Sequence, residues 1–372
     1  MIAKHDTDAV FPKDLVQSLS KMGWTSFWQT QAAEIYDGNL VPARVVGANK
    51  NSFYLSQGED DYLASLSGKL AHRTNGPYPV VGDWVMVAGA VIHGMLSRKN
   101  ALSRGASGSR GKQDALPRRE QVIAANLDAV FIVCGLDRDF NLRRLERYLT
   151  LVYNCGLNPV IILTKADLHR DPEKYTREVE PAAFGVPVHT VSANDSIGLT
   201  LLEQYLAPGR TITLIGSSGS GKSTLVNSLC GRSVQATGSV SENGGKGKHT
   251  TTRRDLIMMP QGAVVIDNPG LREIAFWDCD DGIELVFPEI EDYASGCRFS
   301  DCSHLNEPGC RVIQAVADGK IIRGRLESFH KMKREQKYLS ERQHKSANQV
   351  EKERWKEVAL KIKDIKKGRC KT

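Results

Sequence analysis

Apolar residues change their spacing three times along this chain, and each change predicts a different kind of element. Residues 13–36 carry Leu15, Leu19, Met22, Trp24, Phe27 and Trp28 at helix-like intervals, in a segment that ends near Asp37-Gly38. From Leu40 to about Ser103 the texture becomes short alternating runs, 41–46 and 83–87 among them, separated by Gly, Asn and Ser turns. A small antiparallel β-barrel of the OB type fits that spacing. After Asn126 the pattern alternates between buried strand and helix. It gives a strand at 129–134, a helix at 142–153, and strands at 159–163 and 186–191. A strand at 211–215, a helix at 223–229 and a strand at 262–266 follow. Such alternation means a parallel α/β sheet. Beyond Asp292 the chain turns to a cysteine-rich loop and then to helices, and no internal repeat is evident. Between barrel and sheet lies a Gly/Ser-rich loop, 103–117, with Arg104, Arg110 and Lys112, and with Arg118 and Arg119 just beyond. It reads equally as a flexible arm for phosphates and as a plain linker.

A chain of 372 residues is long for a single core, so two or three domains are expected. No run approaches the ~18 apolar residues of a spanning helix, and the first residues lack an apolar signal core, so a cytoplasmic protein without membrane association is expected. The net charge of +7 is unevenly spread. Residues 320–372 hold 18 Lys/Arg against 7 Asp/Glu, which leaves the rest of the chain net negative. A basic tail of this kind suggests an anionic partner, and nucleic acid suits it better than membrane because the tail has no strong aromatic or leucine face. A solvated helix of mixed charge is the plainer reading. Lys331, Lys333, Arg334 and Lys337 form its densest patch.

The sharpest chemistry lies at Gly216-Ser217-Ser218-Gly219-Ser220-Gly221-Lys222-Ser223, a phosphate-loop pattern with an apolar strand before it and a helix from Thr224 after it. Its glycines let backbone amides form a nest around phosphates at a helix N-terminus; Lys222 reaches the β/γ oxygens, and Ser223 is placed for magnesium. Upstream, Thr164-Lys165-Ala166-Asp167 follows a strand where a guanine-reading loop sits. Asp167 can accept from both N1–H and the N2 amine of guanine, a pair adenine does not supply. Lys165 would pack over the base. Thr164 stands where Asn is usual, and its hydroxyl can still bridge neighbouring loops. Taken alone, the four residues could be an ordinary strand-to-helix turn with a capping Asp. Ser192-Ala193, after the next strand, offers a backbone amide to the guanine oxygen. Downstream, Asp267-Asn268-Pro269-Gly270 ends an apolar strand, suited to a water-mediated magnesium contact from Asp267 and a γ-phosphate contact from the Gly270 amide. A Gly-rich segment before it carries His249 and the threonines Thr251 and Thr252. Either threonine could join the magnesium shell, and His249 is the nearest candidate to orient water, because Leu271 stands where many GTPases have Gln. A solvent-facing His249 is the competing reading.

Of the eight cysteines, Cys134, Cys155, Cys230, Cys279 and Cys370 are scattered. Cys297, Cys302 and Cys310 are clustered around His304 and supply the ligands of one closed, structural zinc site.

In an ordinary GTPase the base-reading motifs come after the phosphate loop; here Asp167 and Ser192 precede Lys222, a rotated order. With that inversion, the zinc spacing and the segment Arg119-Glu120-Gln121-Val122-Ile123-Ala124-Ala125-Asn126-Leu127-Asp128, the chain resembles the small-subunit-dependent GTPases of the RsgA/YjeQ family over nearly its whole length. The resemblance implies an N-terminal OB-type β-barrel, a central circularly permuted α/β P-loop GTPase and a mostly helical zinc-binding C-terminal domain. Expected boundaries are a helical extension at 1–38, the barrel at 39–116, the GTPase at 117–286 and the zinc domain with its basic tail at 287–372. It also implies hydrolysis of GTP to GDP with Mg2+, stimulated by the 30S subunit, binding to 16S rRNA, and a role in late subunit assembly. A monomer is expected. Two departures stand out: the first 38 residues offer an apolar helical segment rather than a basic tail, and Asn268 replaces the commoner Thr. A nucleotide-regulated RNA-binding protein with negligible turnover is the alternative, with Leu271 its best support. An ATP-driven RNA remodeller is a third reading, which Asp167 disfavours.

Overall fold

The structure is a computed structural model, and it describes residues 10–49, 52–72, 78–105, 120–234, 254–267 and 281–344. The chain divides into two compact units, one of Met1–Leu102 with Val122–Glu273 and one of Ser103–Gln121 with Ile274–Thr372.

In the first unit the opening apolar segment is two helices, α1 (Lys13–Lys21) and α2 (Ser26–Ile35). Gly23 separates them with φ +94°, and a Cβ there would lie 2.6 Å from the Gly209 carbonyl, so both the conformation and the space require glycine. Phe11, Leu19, Met22, Trp24, Trp28 and Ala32 pack with Trp84, Met86 and Leu96 of the barrel. Trp24 meets Trp84 edge to face at 4.8 Å between centroids. The opening helices are thus the cover over one side of the barrel, a role the sequence alone leaves unread.

The barrel comprises β1 (Val41–Ala48), β2 (Phe53–Ser56), β3 (Tyr62–Leu66), β4 (Trp84–Ala88) and β5 (Val91–Met95), with the short α3 (Gly68–Ala71) after β3. Its order β1-β2-β3-β5-β4 closes by a β1–β4 pairing, the OB-type arrangement expected. Alternate residues point inward, so Ala43 and Val45, Phe53 and Leu55, and Val85 and Val87 share one core. β6 (Ala101–Gly105) and β7 (Glu120–Ala125) pair as a two-stranded ribbon.

The α/β part runs β8 (Ala129–Gly135), α4 (Leu142–Asn154), β9 (Pro159–Thr164), α5 (Glu173–Val179), β10 (Val188–Thr190), β11 (Thr211–Ile215), α6 (Lys222–Cys230), β12 (Arg254–Met258) and β13 (Val264–Asp267). In space the order is β10-β9-β8-β11-β13-β12, parallel except for β12. Parallel strands put the ends of β8, β9, β11 and β13 at one edge, where α/β sheets bind ligands. Phe131, Val133, Ile162, Leu214, Leu225 and Val265 form the core beneath that edge.

β12 also pairs with β1, through Gly47↔Asp255 and Ala48↔Arg254, so barrel and α/β sheet are one eleven-stranded sheet. A buried arginine reinforces the join. Arg44 donates to the Met22 carbonyl and, at 2.8 Å, to the Thr211 hydroxyl on β11, with its guanidinium 5.3 Å from the Trp84 ring centre. Burial pulls its pKa down to about 10 against the pull of Asp128 and Asp83.

The second unit contains α7 (Asp281–Val286), α8 (Pro288–Ala294), α9 (Arg311–Ala317) and the 22-residue α10 (Arg323–His344). Phe287 and Phe329 meet edge to face at 5.7 Å, and Arg325 lies 4.4 Å over Phe287 while donating to Glu289 at 2.7 Å.

Candidate nucleotide site and metal cluster

β11 delivers the chain to the phosphate loop, which hugs the end of β8. Gly216 has φ +151°, and a Cβ there would lie 2.2 Å from the Val133 carbonyl. Gly221 has φ +93°, and its Cβ would sit 3.0 Å from the Thr164 hydroxyl. Only glycine lets the loop turn this close to two neighbouring strand ends. Ser218 and Gly219 are exposed at the tip, whereas Ser220 is fully buried. The Lys222 ammonium donates to the Gly216 and Ser217 carbonyls at 2.9 and 2.6 Å and to the Ser220 hydroxyl at 3.3 Å. It is thereby held at the mouth of the amide nest. Ser223 and Thr224 occupy the first turn of α6, whose N-terminus faces the loop.

The base-reading candidates come to the same edge. Thr164 ends β9 at 2 % exposure, and its hydroxyl donates to the Ser220 carbonyl at 2.5 Å. Lys165 then adopts φ +62°, a left-handed turn that a β9 continuation would not allow, and its ammonium donates to the Gly219 carbonyl at 2.6 Å. Two successive residues therefore tie 164–167 to the phosphate loop. Asp167 is exposed, and its Oδ1 accepts the Ser192 hydroxyl at 2.7 Å. The Ala193 carbonyl accepts the Ser228 hydroxyl of α6 at 3.1 Å, joining the third segment to the helix after the loop.

Asp267 ends β13 beside β11, in parallel register with Thr213 opposite Ile266. The Thr213 hydroxyl donates to the Ile266 carbonyl at 2.8 Å across that pair. Asp267 thus lies at the strand edge from which β11 runs into the phosphate loop. His249, Thr251, Thr252 and Gly270 lie outside the described residues, as do Arg110, Lys112, Arg118 and Arg119.

Two contributors were missed by sequence reading. Asp137 and Asp139, in the turn from β8 to α4, accept bonds from Lys165 and Ser217 respectively. Burial pushes the Asp137 carboxyl up, but the hydrogen bond from Lys165, the Asp139 amide and the charge of Lys165 outweigh it and hold it below its usual range. Their only sequence signal is position, directly after a buried strand of an α/β sheet. Nearby, Cys134 is desolvated and faces Asp139, which pushes its thiol up to about 12 and marks it as inert.

In the second unit the ligand atoms of Cys297, Cys302, His304 and Cys310 all lie within 4.8 Å of one another. Bond lengths of ~2.3 Å to sulfur and ~2.0–2.1 Å to nitrogen give a tetrahedron with edges of about 3.8 Å between sulfurs and about 3.6 Å between sulfur and nitrogen. Cys297 Sγ to Cys310 Sγ is 3.9 Å, and His304 Nδ1 lies 3.6 and 3.4 Å from these two sulfurs. Cys297, His304 and Cys310 therefore fit zinc in size as well as in kind, and the Cys302 sulfur lies within 4.8 Å of all three. Burial pushes the Cys297 thiol up, yet the Arg311 and Val312 amides at the start of α9 bring it below its ordinary value. Cys302, desolvated and facing the other sulfurs, is pushed up to about 11. Burial and neighbouring His330 hold the His304 imidazole down, in the neutral form that ligates. Glu307 organises the intervening loop, accepting from the Ser303 hydroxyl and from the Ser303, Leu305 and Asn306 amides, and these bonds depress its pKa to about 2.

The family model described as RsgA GTPase matches residues 95–277. A second, ABC transporter, matches residues 199–359, a span that takes in the phosphate loop but neither Asp167 nor the barrel. Among the described residues no helix is long and apolar enough to cross a membrane. The chain is 46% identical over 351 residues to the small ribosomal subunit biogenesis GTPase RsgA of Methanosarcina acetivorans, covering 93% of this chain and 92% of that protein. The protein of the same name from Opitutus terrae is 41% identical, with 92% and 96% covered. Of solved structures, YjeQ from Thermotoga maritima aligns with TM-score 0.57 and 28% identity, over 80% of this chain and 98% of that one. The circularly permuted GTPase YloQ, 23% identical with TM-score 0.55, shares the fold.

Proposed function

The chain belongs to the RsgA GTPase family, and from that membership we propose that it hydrolyses GTP to GDP and phosphate in the maturation of the small ribosomal subunit. The observation that carries the reading is the pair of bonds from Thr164 and Lys165 to the phosphate loop. They bring a motif that can discriminate guanine against a loop that can hold phosphates, although the two are joined in reversed order along the chain.

In this reading Asp167 accepts from the guanine N1–H and N2 amine, the stem of Lys165 lies over the base, and the Ala193 amide meets the guanine oxygen. The amides of 216–221 and the Lys222 ammonium hold the β- and γ-phosphates. Ser223 and Asp267 would hold magnesium, which would supply neutralisation of the oxygens on which charge develops. Thr251 or Thr252 would join the magnesium shell, and the Gly270 amide contacts the γ-phosphate. Hydrolysis without the particle is slow because Leu271 cannot orient water, and His249 takes that part when the subunit is bound. Cys297, Cys302, His304 and Cys310 hold one structural zinc that braces the helices carrying Lys331, Lys333, Arg334 and Lys337 toward 16S rRNA. The protein works as a monomer in the cytoplasm, with the domain limits 1–38, 39–116, 117–286 and 287–372.

Phosphate release from GTP, measured with and without purified small subunits, tests the proposal. Strong stimulation by the particle is expected. Guanine nucleotide binding with no turnover under either condition would replace the enzyme with a nucleotide-regulated RNA-binding protein.

A further inference from the structure

The residues assigned to nucleotide leave the acidic turn after β8 without a task. Its geometry is unusually determined. Asp137 Oδ2 accepts the Lys165 ammonium at 2.6 Å, the same ammonium that reaches the Gly219 carbonyl at 2.6 Å. Asp139 Oδ1 accepts the Ser217 hydroxyl and pairs with Arg144 at 2.7 Å, while its Oδ2 accepts the Gly135 amide at 3.2 Å. The turn itself is braced. Asp137 Oδ1 accepts the Asp139 amide at 3.1 Å, Leu136 donates to the Thr164 carbonyl at 2.9 Å, and Asn141 caps α4 by accepting the Arg144 amide at 3.1 Å. The turn runs close against Gly135, where a Cβ would lie 2.8 Å from Asp137 Oδ1 and push that carboxylate aside.

Two carboxylates beside a phosphate-binding loop would repel a polyanion if left bare. Neither is: Asp137 is matched by Lys165 and Asp139 by Arg144. Their bonds reach the base-packing lysine and the second residue of the phosphate loop, whose carbonyl holds the Lys222 ammonium at 2.6 Å. We propose that Asp137 and Asp139 are positioning residues that lock the base-reading and phosphate loops into one register, Asp137 acting through Lys165 and Asp139 through Ser217. The proposal rests on the reading of 164–167 and 216–223 as one guanine nucleotide site.

Lys165 packs on the face of a purine, whereas Asp167 reads its edge. Loosening Lys165 therefore weakens every purine nucleotide alike and leaves discrimination between them intact. For Asp137→Asn in the full chain, the Kd values for GDP and GTP rise about fivefold to tenfold, the scale of one ordinary net hydrogen bond at a partly exposed ion pair. The ratio of GDP to ADP affinity stays at its wild-type value, and kcat at saturating GTP with small subunits is retained. In a Lys165→Ala background the Asp137→Asn change has no further effect on GDP binding, because its route is gone. The parallel cycle pairs Asp139→Asn with Ser217→Ala, and it decides the matter if Asp137→Asn does not fold. Wild-type GDP affinity in Asp137→Asn and Asp139→Asn, or additive losses in both cycles, would overturn the proposal. A different result, Lys165→Ala binding GDP as wild type does, would strike the nucleotide-site reading instead.

Discussion

Replacing Thr164 with valine removes one hydroxyl and almost nothing else, and the structure says what that hydroxyl is worth. Thr164 is 2 % exposed, its Oγ1 donates to the Ser220 carbonyl at 2.5 Å, and Ser220 is fully buried. Valine keeps the β-branched shape and leaves that carbonyl without its donor. A buried polar group stripped of its partner costs about 1–3 kcal/mol. The bond joins two segments of the folded chain to each other, so the loss falls first on folding. At about 2–4 °C per kcal/mol for a unit of this size, the melting temperature of Thr164→Val should drop by about 2–12 °C. Part of the loss also appears as weaker GDP binding, because the freed peptide belongs to the phosphate loop. Thr164→Ser, which keeps the donor, should stay close to wild type in affinity, and Thr164→Asn should too, since its amide can reach the same carbonyl. Thermal denaturation without nucleotide and calorimetric titration with GDP measure the two effects separately. If Thr164→Val melts and binds GDP as the wild type does, the hydroxyl bridge does not hold the two loops together and the argument fails.

Two further outcomes follow from the same geometry. Asp167→Asn exchanges an acceptor for a donor at the exposed carboxylate beside Ser192, so affinity should move from guanine toward xanthine nucleotides; competition titrations with GDP and XDP read it, and unchanged guanine preference would refute the assignment. Removing zinc with a chelator, or replacing Cys302 with serine, should release about one zinc per chain and raise protease sensitivity near α9 while GDP affinity is retained; metal analysis showing no zinc in the purified wild type would remove the metal site.

The cysteine cluster and the phosphate loop were legible because each is a local code. Three cysteines and a histidine within fourteen residues can close around one ion, and a loop that binds phosphate through its own amides needs only glycines and a lysine at fixed intervals. The rotated order of motifs could be read for the same reason, since each motif carries its own strand end. The alternation of buried strand and helix was visible in the run of apolar residues, though the opening segment read only as helical, because nothing local shows that Gly23 must turn against Gly209.

Which strands lie side by side was another matter. Only the folded chain puts β1 against β12, sets Arg44 between Met22, Trp84 and Thr211, and brings Asp137 to Lys165, 28 positions away. Sequence names the chemistry a residue can do, because that depends on its own atoms and near neighbours. Tertiary structure chooses the partner, because aspartates and lysines are plentiful and only the packing of strand ends at one edge decides which of them meet.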